Sequence, residues 1–167
     1  MLRHRPEAIG IHLDRQGWTP IDALLTQCHL HGRPISRVLL DDIVATNPKQ
    51  RFGISSDGLS IRANQGHSVD VELGYETAPP PEVLFHGTSP DRIESIRTQG
   101  LRRMKRHHVH LSPDSETARL VGQRRGKATV LRVRAGAMHR DGHPFWLSAN
   151  GVWLTEAVPP NYLDTEA

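Results

Sequence analysis

The run Ala78-Pro79-Pro80-Pro81-Glu82 constrains this chain more than any other segment. Consecutive prolines cannot continue a helix, and without amide hydrogens they cannot occupy a central strand. We therefore place a linker at 78–82, a first lobe over 1–77 and a second over 83–167. A length of 167 residues suits two small lobes, since single domains commonly run about 100 to 150 residues. Hydrophobic residues make up 37 % and charged residues 23 %, a globular balance, while an aromatic content of 5 % implies cores built mainly from Leu, Ile and Val.

The first lobe reads as three helices and a hairpin. Arg3-His4-Arg5 falls in the first helical turns before Pro6. Thr19-Pro20-Ile21-Asp22 reads as a helix start: Thr19 caps, Pro20 fits the first turn, and Asp22 sits at the positive end of the dipole. That helix carries Ile21, Leu24, Leu25 and Cys28 on one stripe and ends near Gly32. A second cap at Ser36 precedes Val38, Leu39, Leu40, Ile43 and Val44, and Asn47-Pro48 stops this helix, which is expected to pack on the previous one. Residues 51–55 and 59–62 flank Ser56-Asp57-Gly58, a hairpin signature. Three helices followed by a hairpin is the order of a winged-helix module.

The second lobe is mixed. A strand over 83–85 leads to a helix opened by Ser89-Pro90 and closed by Gly100, with Ile93 and Ile96 inward. Strands follow at 109–112, 129–133, 145–147 and 152–154, with a helix near 115–121. The fold class expected for the whole chain is α+β.

Several classes are disfavoured. Cys28 is the single cysteine, which rules out an internal disulfide framework or a multi-cysteine metal site. No apolar run approaches the roughly 18 residues of a membrane span, and the opening Met1-Leu2-Arg3-His4 lacks a signal-like hydrophobic region, so a soluble, cytoplasmic monomer is expected. His107, His108 and His110 are close in sequence, but neighbours on a strand face opposite ways and no carboxylate or cysteine completes a ligand set. No metal is expected.

What remains is a set of separated Arg/His clusters without a matching carboxylate pair, which points to an anionic ligand. Arg62 ends the hairpin and is followed by a glycine-containing turn reaching His67-Ser68. A guanidinium offers a planar fork of donors that fits phosphate oxygens, and a nearby imidazole or hydroxyl completes a cage. Alone, such a run is an ordinary solvent-facing hairpin, and Arg3-His4-Arg5 an ordinary basic terminus. Arg124 and Arg125 lie between a helix and a strand, where a loop could meet an anion. His86-Gly87-Thr88 ends a strand, with Gly87 permitting close backbone approach of a ligand and its neighbours offering directional hydrogen bonds. His110 either faces a ligand or packs in the second lobe.

Together these segments resemble the RNA 2′-phosphotransferase family, the NAD-dependent, KptA-like enzymes of tRNA splicing. The resemblance rests on Leu2-Arg3-His4, Asp14-Arg15-Gln16-Gly17-Trp18, Lys49-Gln50-Arg51-Phe52, the run 61–68, His86-Gly87-Thr88, Gly100-Leu101, the run 106–112, Gly122-Gln123-Arg124-Arg125-Gly126 and the run 148–153. It covers nearly the whole chain in the family's order. It implies a winged-helix RNA lobe joined to an NAD lobe like that of ADP-ribosyltransferases. Arg3, His4, Arg62 and Arg124 then correspond to the family's essential Arg-His-Arg-Arg set. His86, Gly87, Thr88, His110, Ser148 and Asn150 fall in NAD-contacting segments, and Arg62, His67 and Ser68 in the segment that holds the RNA phosphate.

The implied substrates are RNA bearing an internal 2′-phosphate and NAD, which is consumed. The phosphate attacks the nicotinamide-bearing ribose carbon, and a ribose hydroxyl then attacks the bridging phosphate. The first nucleophile is already ionised, so a site rich in Arg without an evident catalytic Glu suits the chemistry. An ADP-ribosyltransferase acting on phosphorylated nucleic-acid ends would use the same parts and stop after the first step. A non-catalytic RNA-binding winged helix would not need His86-Gly87-Thr88 or Ser148-Ala149-Asn150.

Overall fold

The computed structural model describes residues 2–69, 71–104, 106–123 and 126–165. The chain divides into two compact units, Met1–Gly74 and Tyr75–Ala167, each with its own buried apolar cluster. Helices and small antiparallel sheets alternate in an α+β arrangement.

In the first unit a turn at 2–4 leads into a short 3-10 turn, Pro6–Ile9. Gly10, at φ 68°, ends that turn in the left-handed region that glycine tolerates best. The first of the three expected helices is thus a single tight turn. Next come β1 (Thr19–Pro20), α1 (Ile21–Leu30), α2 (Arg37–Thr46), β2 (Phe52–Ile54) and β3 (Ser60–Ala63). Ser36 caps α2 as expected, its hydroxyl accepting the Leu39 N–H at 3.1 Å. Thr19 does not cap α1. It lies in β1, paired with Ile61, and completes a sheet of order β1-β3-β2.

Leu2, Ile9, Ile11, Ile21, Leu24, Cys28, Leu40 and Ile61 form the core, so α1 and α2 do share one cluster. Only part of the α2 stripe enters it. Val38, Leu39 and Ile43 are 78 %, 47 % and 38 % exposed, because one buried position, Leu40, sets which way a two-and-a-half-turn helix faces.

The second unit holds β4 (Leu84–Thr88), α3 (Ile93–Gln99), β5 (Leu101–Arg102), β6 (Val109–Leu111), α4 (Ser115–Gly122) and β7 (Thr129–Val133). These are followed by α5 (Ala135–Arg140), β8 (Phe145–Leu147), β9 (Trp153–Thr155), β10 (Ala157–Val158) and β11 (Leu163–Thr165). They build antiparallel sheets of order β11-β7-β4, β6-β9-β8 and β10-β5. A Phe85–Ser112 bridge ties β4 to the end of β6. Val109, Leu111 and Phe145 point into a core shared with Leu84, Leu131, Val133 and Met138. Ile93 and Ile96 pack partly buried against it, as their spacing predicts.

Residues 77–82 are fastened to this second unit. Thr77 bridges Trp146, the Ala78 N–H donates to the Phe145 carbonyl at 2.9 Å, and Arg140 forks onto Glu82 at 2.6 and 3.1 Å.

Candidate active site

In the first unit the opening turn is latched to the segment after β3. His4 Nδ1 lies 2.9 Å from Ser68 Oγ, and the Ser68 N–H donates to the Arg3 carbonyl at 2.9 Å. Arg3 is half-buried, with Nε and Nη2 out of solvent, while His4 is exposed. His67 is 2 % exposed; a Cβ on Gly17 would lie 3.5 Å from its Nε2, so the Gly17 backbone packs closely over the ring. Arg3, His4, His67 and Ser68 are thereby drawn together from opposite ends of the lobe.

Arg62 occupies β3, the central strand of its sheet. Its guanidinium carbon stands 4.5 Å from the centroid of the Trp18 ring. The antiparallel pairing of Thr19 with Ile61 explains this, since the next residues outward are Trp18 and Arg62. Trp18 itself is held by a tight loop. Asp14 Oδ1 accepts the N–H groups of Gln16 and Trp18, both at 2.8 Å, and the Trp18 carbonyl accepts the Asp14 N–H at 2.8 Å. After Arg62 the chain is anchored by buried Asn64, whose Nδ2 donates to the Gln50 carbonyl at 2.7 Å.

Trp18, Asp14 and Asn64 are the residues that sequence reasoning missed as parts of the site. The signal that finds Trp18 is strand register, and a reading of Thr19 as a helix cap hides it.

In the second unit His86 lies within β4, which runs on through Gly87 and Thr88. Its Nδ1–H donates to the His110 carbonyl at 3.0 Å. Burial is the main influence on the imidazole and pushes its pKa below the ordinary value; the His110 carbonyl bond opposes this and the Arg106 charge adds to it. A neutral ring whose proton is committed at Nδ1 keeps Nε2 as an acceptor.

His110 is arranged the other way round. Arg106 Nη1 lies 3.0 Å from His110 Nδ1; a guanidinium has only donors, so Nδ1 accepts and the ring proton sits on Nε2. The two imidazoles thus carry opposite tautomers. His108 turns elsewhere, its ring 4.9 Å from Trp146 and 6.3 Å from Tyr75. Burial first, and His107 next, hold its pKa below the ordinary value.

Ser148 is buried and organises its own loop. Its Oγ lies 2.9 Å from both Asn150 Oδ1 and the Val152 carbonyl and accepts the Val152 N–H at 3.0 Å. Loop 148–152 leaves the sheet next to the level at which Ser112 bridges Phe85, one residue before His86. That bridge is antiparallel, so His86 lies one step from the level of the loop, while Gly87 and Thr88 run back along β6 toward Val109 and away from Ser148 and Asn150.

Gly87 differs from its expected use on one face. A Cβ there would come 1.7 Å from the Ala118 carbonyl oxygen of α4. The close approach that this glycine permits is made by a helix backbone. Gly122, the last residue of α4, reciprocates, its Cβ position lying 3.0 Å from the Gly87 carbonyl carbon and 3.1 Å from the Thr88 nitrogen. Asp114 starts that helix by accepting the Thr117 N–H at 2.7 Å. Arg124 and Arg125, which follow its end, lie outside the described residues. Among the described residues no group of three or more His, Cys, Asp or Glu side chains gathers for a metal, and no helix is long and apolar enough to cross a membrane.

Residues 1–157 match the family described as RNA 2′-phosphotransferase, Tpt1 / KptA family. A Streptomyces coelicolor protein named "Probable RNA 2′-phosphotransferase" is 56 % identical over 162 residues, covering 97 % of this chain and 88 % of its own length. A Rhodopirellula baltica protein of the same name is 51 % identical over 164 residues, covering 98 % and 89 %. An Escherichia coli protein, again of that name, is 48 % identical over 165 residues, covering 98 % and 90 %. With a match that takes in the Arg3-His4 turn, Arg62, the His86 strand and loop 148–152 alike, the chain belongs to the RNA 2′-phosphotransferase, Tpt1 / KptA family.

Proposed function

We propose that this chain is an NAD-dependent RNA 2′-phosphotransferase, in which Arg3, His4, Arg62 and Arg124 act on an internal RNA 2′-phosphate. The observation that carries the reading is the latch joining Arg3-His4 to the turn after Arg62, through His4 Nδ1 and Ser68 Oγ at 2.9 Å. It gathers cationic and hydroxyl donors from distant parts of the sequence, which is what capture of a dianionic phosphate requires.

Residues 1–77 are read as a winged-helix RNA lobe, supported by a helix pair followed by the β2–β3 hairpin, whose second strand also pairs with β1. Residues 78–82 are read as the connection and 83–167 as an NAD lobe of the ADP-ribosyltransferase kind. There His86 Nε2 accepts from a ribose hydroxyl of NAD and His110 Nε2–H donates to a ligand oxygen. Gly87, Thr88 and Asn150 complete the NAD-binding set, with Ser148 shaping the loop. The enzyme is taken to be a cytoplasmic monomer whose substrates are RNA and NAD.

In the first step a 2′-phosphate oxygen forms a bond to the nicotinamide-bearing ribose carbon as the bond to nicotinamide breaks. Arg3, Arg62 and Arg124 hold the remaining phosphate oxygens, with His67 and Ser68 shaping the cage. In the second step the adjacent ribose hydroxyl attacks phosphorus and the RNA 2′-oxygen leaves. His4 serves the proton that must pass from the attacking hydroxyl to the departing oxygen. The products are RNA with a free 2′-hydroxyl, nicotinamide and ADP-ribose 1″,2″-cyclic phosphate.

The test is incubation with a short RNA carrying one internal 2′-phosphate, with and without NAD. NAD-dependent nicotinamide release together with loss of the phosphate is expected. A stable ADP-ribosylated RNA as the end product would instead assign the chain to transfer onto phosphorylated nucleic-acid ends.

A further inference from the structure

Two modes of holding an arginine are seen among the described residues of this protein. Arg15, Arg37, Arg92, Arg134 and Arg140 each lie in an ion pair, with Glu72, Asp41, Asp91, Asp164 and Glu82 respectively. Among the described residues no carboxylate lies in ion-pair range of Arg62, and its guanidinium carbon stands 4.5 Å from the centre of the Trp18 ring instead. The distinction is chemical. A carboxylate competes with phosphate for the same N–H fork and cancels the charge that attracts it. An indole face attracts the cation through its quadrupole while the N–H donors, which lie in the guanidinium plane, keep their direction and their charge.

The backbone fixes this pairing. Trp18 continues the β1 register opposite Arg62, and Asp14 ties the loop behind it through the Gln16 and Trp18 N–H groups at 2.8 Å. On its other flank Arg62 is paired with Gly53, which contributes no side chain. The place a Gly53 side chain would take is approached by Asn64 Oδ1, 2.9 Å from that Cβ position, and the ring contact of the Arg62 guanidinium is the one with Trp18.

We infer that Trp18 is a positioning residue for Arg62: the indole sets the plane and direction of the phosphate-holding guanidinium without neutralising it, and the Asp14 loop holds the indole in place. The inference rests on reading Arg62 as a phosphate ligand in the proposed reaction.

A double-mutant cycle on the full chain tests it, with Trp18→Leu, Trp18→Phe, Arg62→Ala and the Trp18→Leu/Arg62→Ala pair. Trp18→Leu should lower kcat/KM for the 2′-phosphorylated RNA by about tenfold, and Trp18→Phe, which keeps a π face, should recover most of that loss. In the Arg62→Ala background Trp18→Leu should cost less than about twofold. Losses that multiply in full would overturn the inference, because a purely architectural tryptophan acts whether or not Arg62 is present.

A second measurement needs no turnover and no variant of Trp18. In the substrate-free wild-type chain the Arg62 side-chain protons, assigned against Arg62→Ala, should carry an upfield ring-current shift. Its absence would sink the stacking geometry. A wild-type chain inert on 2′-phosphorylated RNA would count against the proposed function instead, and the ring-current shift would still decide whether Trp18 holds Arg62.

Discussion

An arginine that grips a phosphate and an imidazole that handles a proton fail in different ways when removed. Arg62→Ala should lower turnover by at least about a hundredfold with the fold retained, the scale of losing one charge-stabilising donor in an active site. Arg62→Lys should restore only part, since an ammonium lacks the planar fork; near-normal steady-state rates in the alanine variant would remove Arg62 from the catalytic set. His4→Ala should let ADP-ribosylated RNA accumulate, visible as a slower band on a denaturing gel. Equal slowing of nicotinamide release and phosphate loss, with no such band, would count against a second-step role. His86 gives a pH signature. Because its pKa in the folded chain is depressed by burial, its contribution to stability is complete above the unfolded value near 6.5. That contribution is lost as pH falls from there through the folded value. The thermal midpoint should therefore drop between about pH 7.5 and 5.5, and His86→Gln should flatten that slope; an unchanged slope in the variant would assign it to other groups, His108 among them. At this scale the sequence made the Arg3-His4 turn and the Ser68 turn recognisable as chemistry, whereas the bond between them became visible only in three dimensions.

Elements were legible in proportion to their length. Ile21, Leu24 and Cys28 recur on one face of α1, and the Ser36 cap announces α2, so both helices follow from periodicity and capping. The β2–β3 hairpin follows likewise from its Asp57-Gly58 turn. Two-residue strands such as β1, β5 and β10 contain no full period and exist only because a partner strand pairs with them. The outward face of α2 illustrates the reverse limit, for Val38, Leu39 and Ile43 read as core by composition yet are left exposed. Helix α4 against β4 is a packing arrangement that a sequence pattern does not announce. Gly87→Ala would press a methyl group into the Ala118 carbonyl, a position 1.7 Å away. The expected cost is on the order of 2 kcal/mol or more, measurable as a lower midpoint in urea unfolding. A wild-type midpoint would show that the strand and helix can part without penalty.

For the molecule as a whole, neither proposed step calls for a metal-bound water, because the first nucleophile is an ionised phosphate and arginines offset the charge of the second. The imidazoles best placed by sequence to bind a cation have other duties: His108 packs on Trp146, and Arg106 occupies His110 Nδ1. Turnover should therefore persist after exhaustive treatment with a strong chelator, whereas abolition reversed by one divalent ion would demand a different mechanism. The latch between His4 and Ser68 has a further consequence. It closes a separation of 64 residues through side chains of exposed loops, and closures of that length are entropically late while exposed loop contacts open before a core does. Catalytic competence is thus acquired after the first unit's sheet has formed and surrendered before its core melts. On gradual heating, phosphate removal should fade several degrees ahead of global unfolding, with NAD still bound by a chain that can no longer finish the reaction.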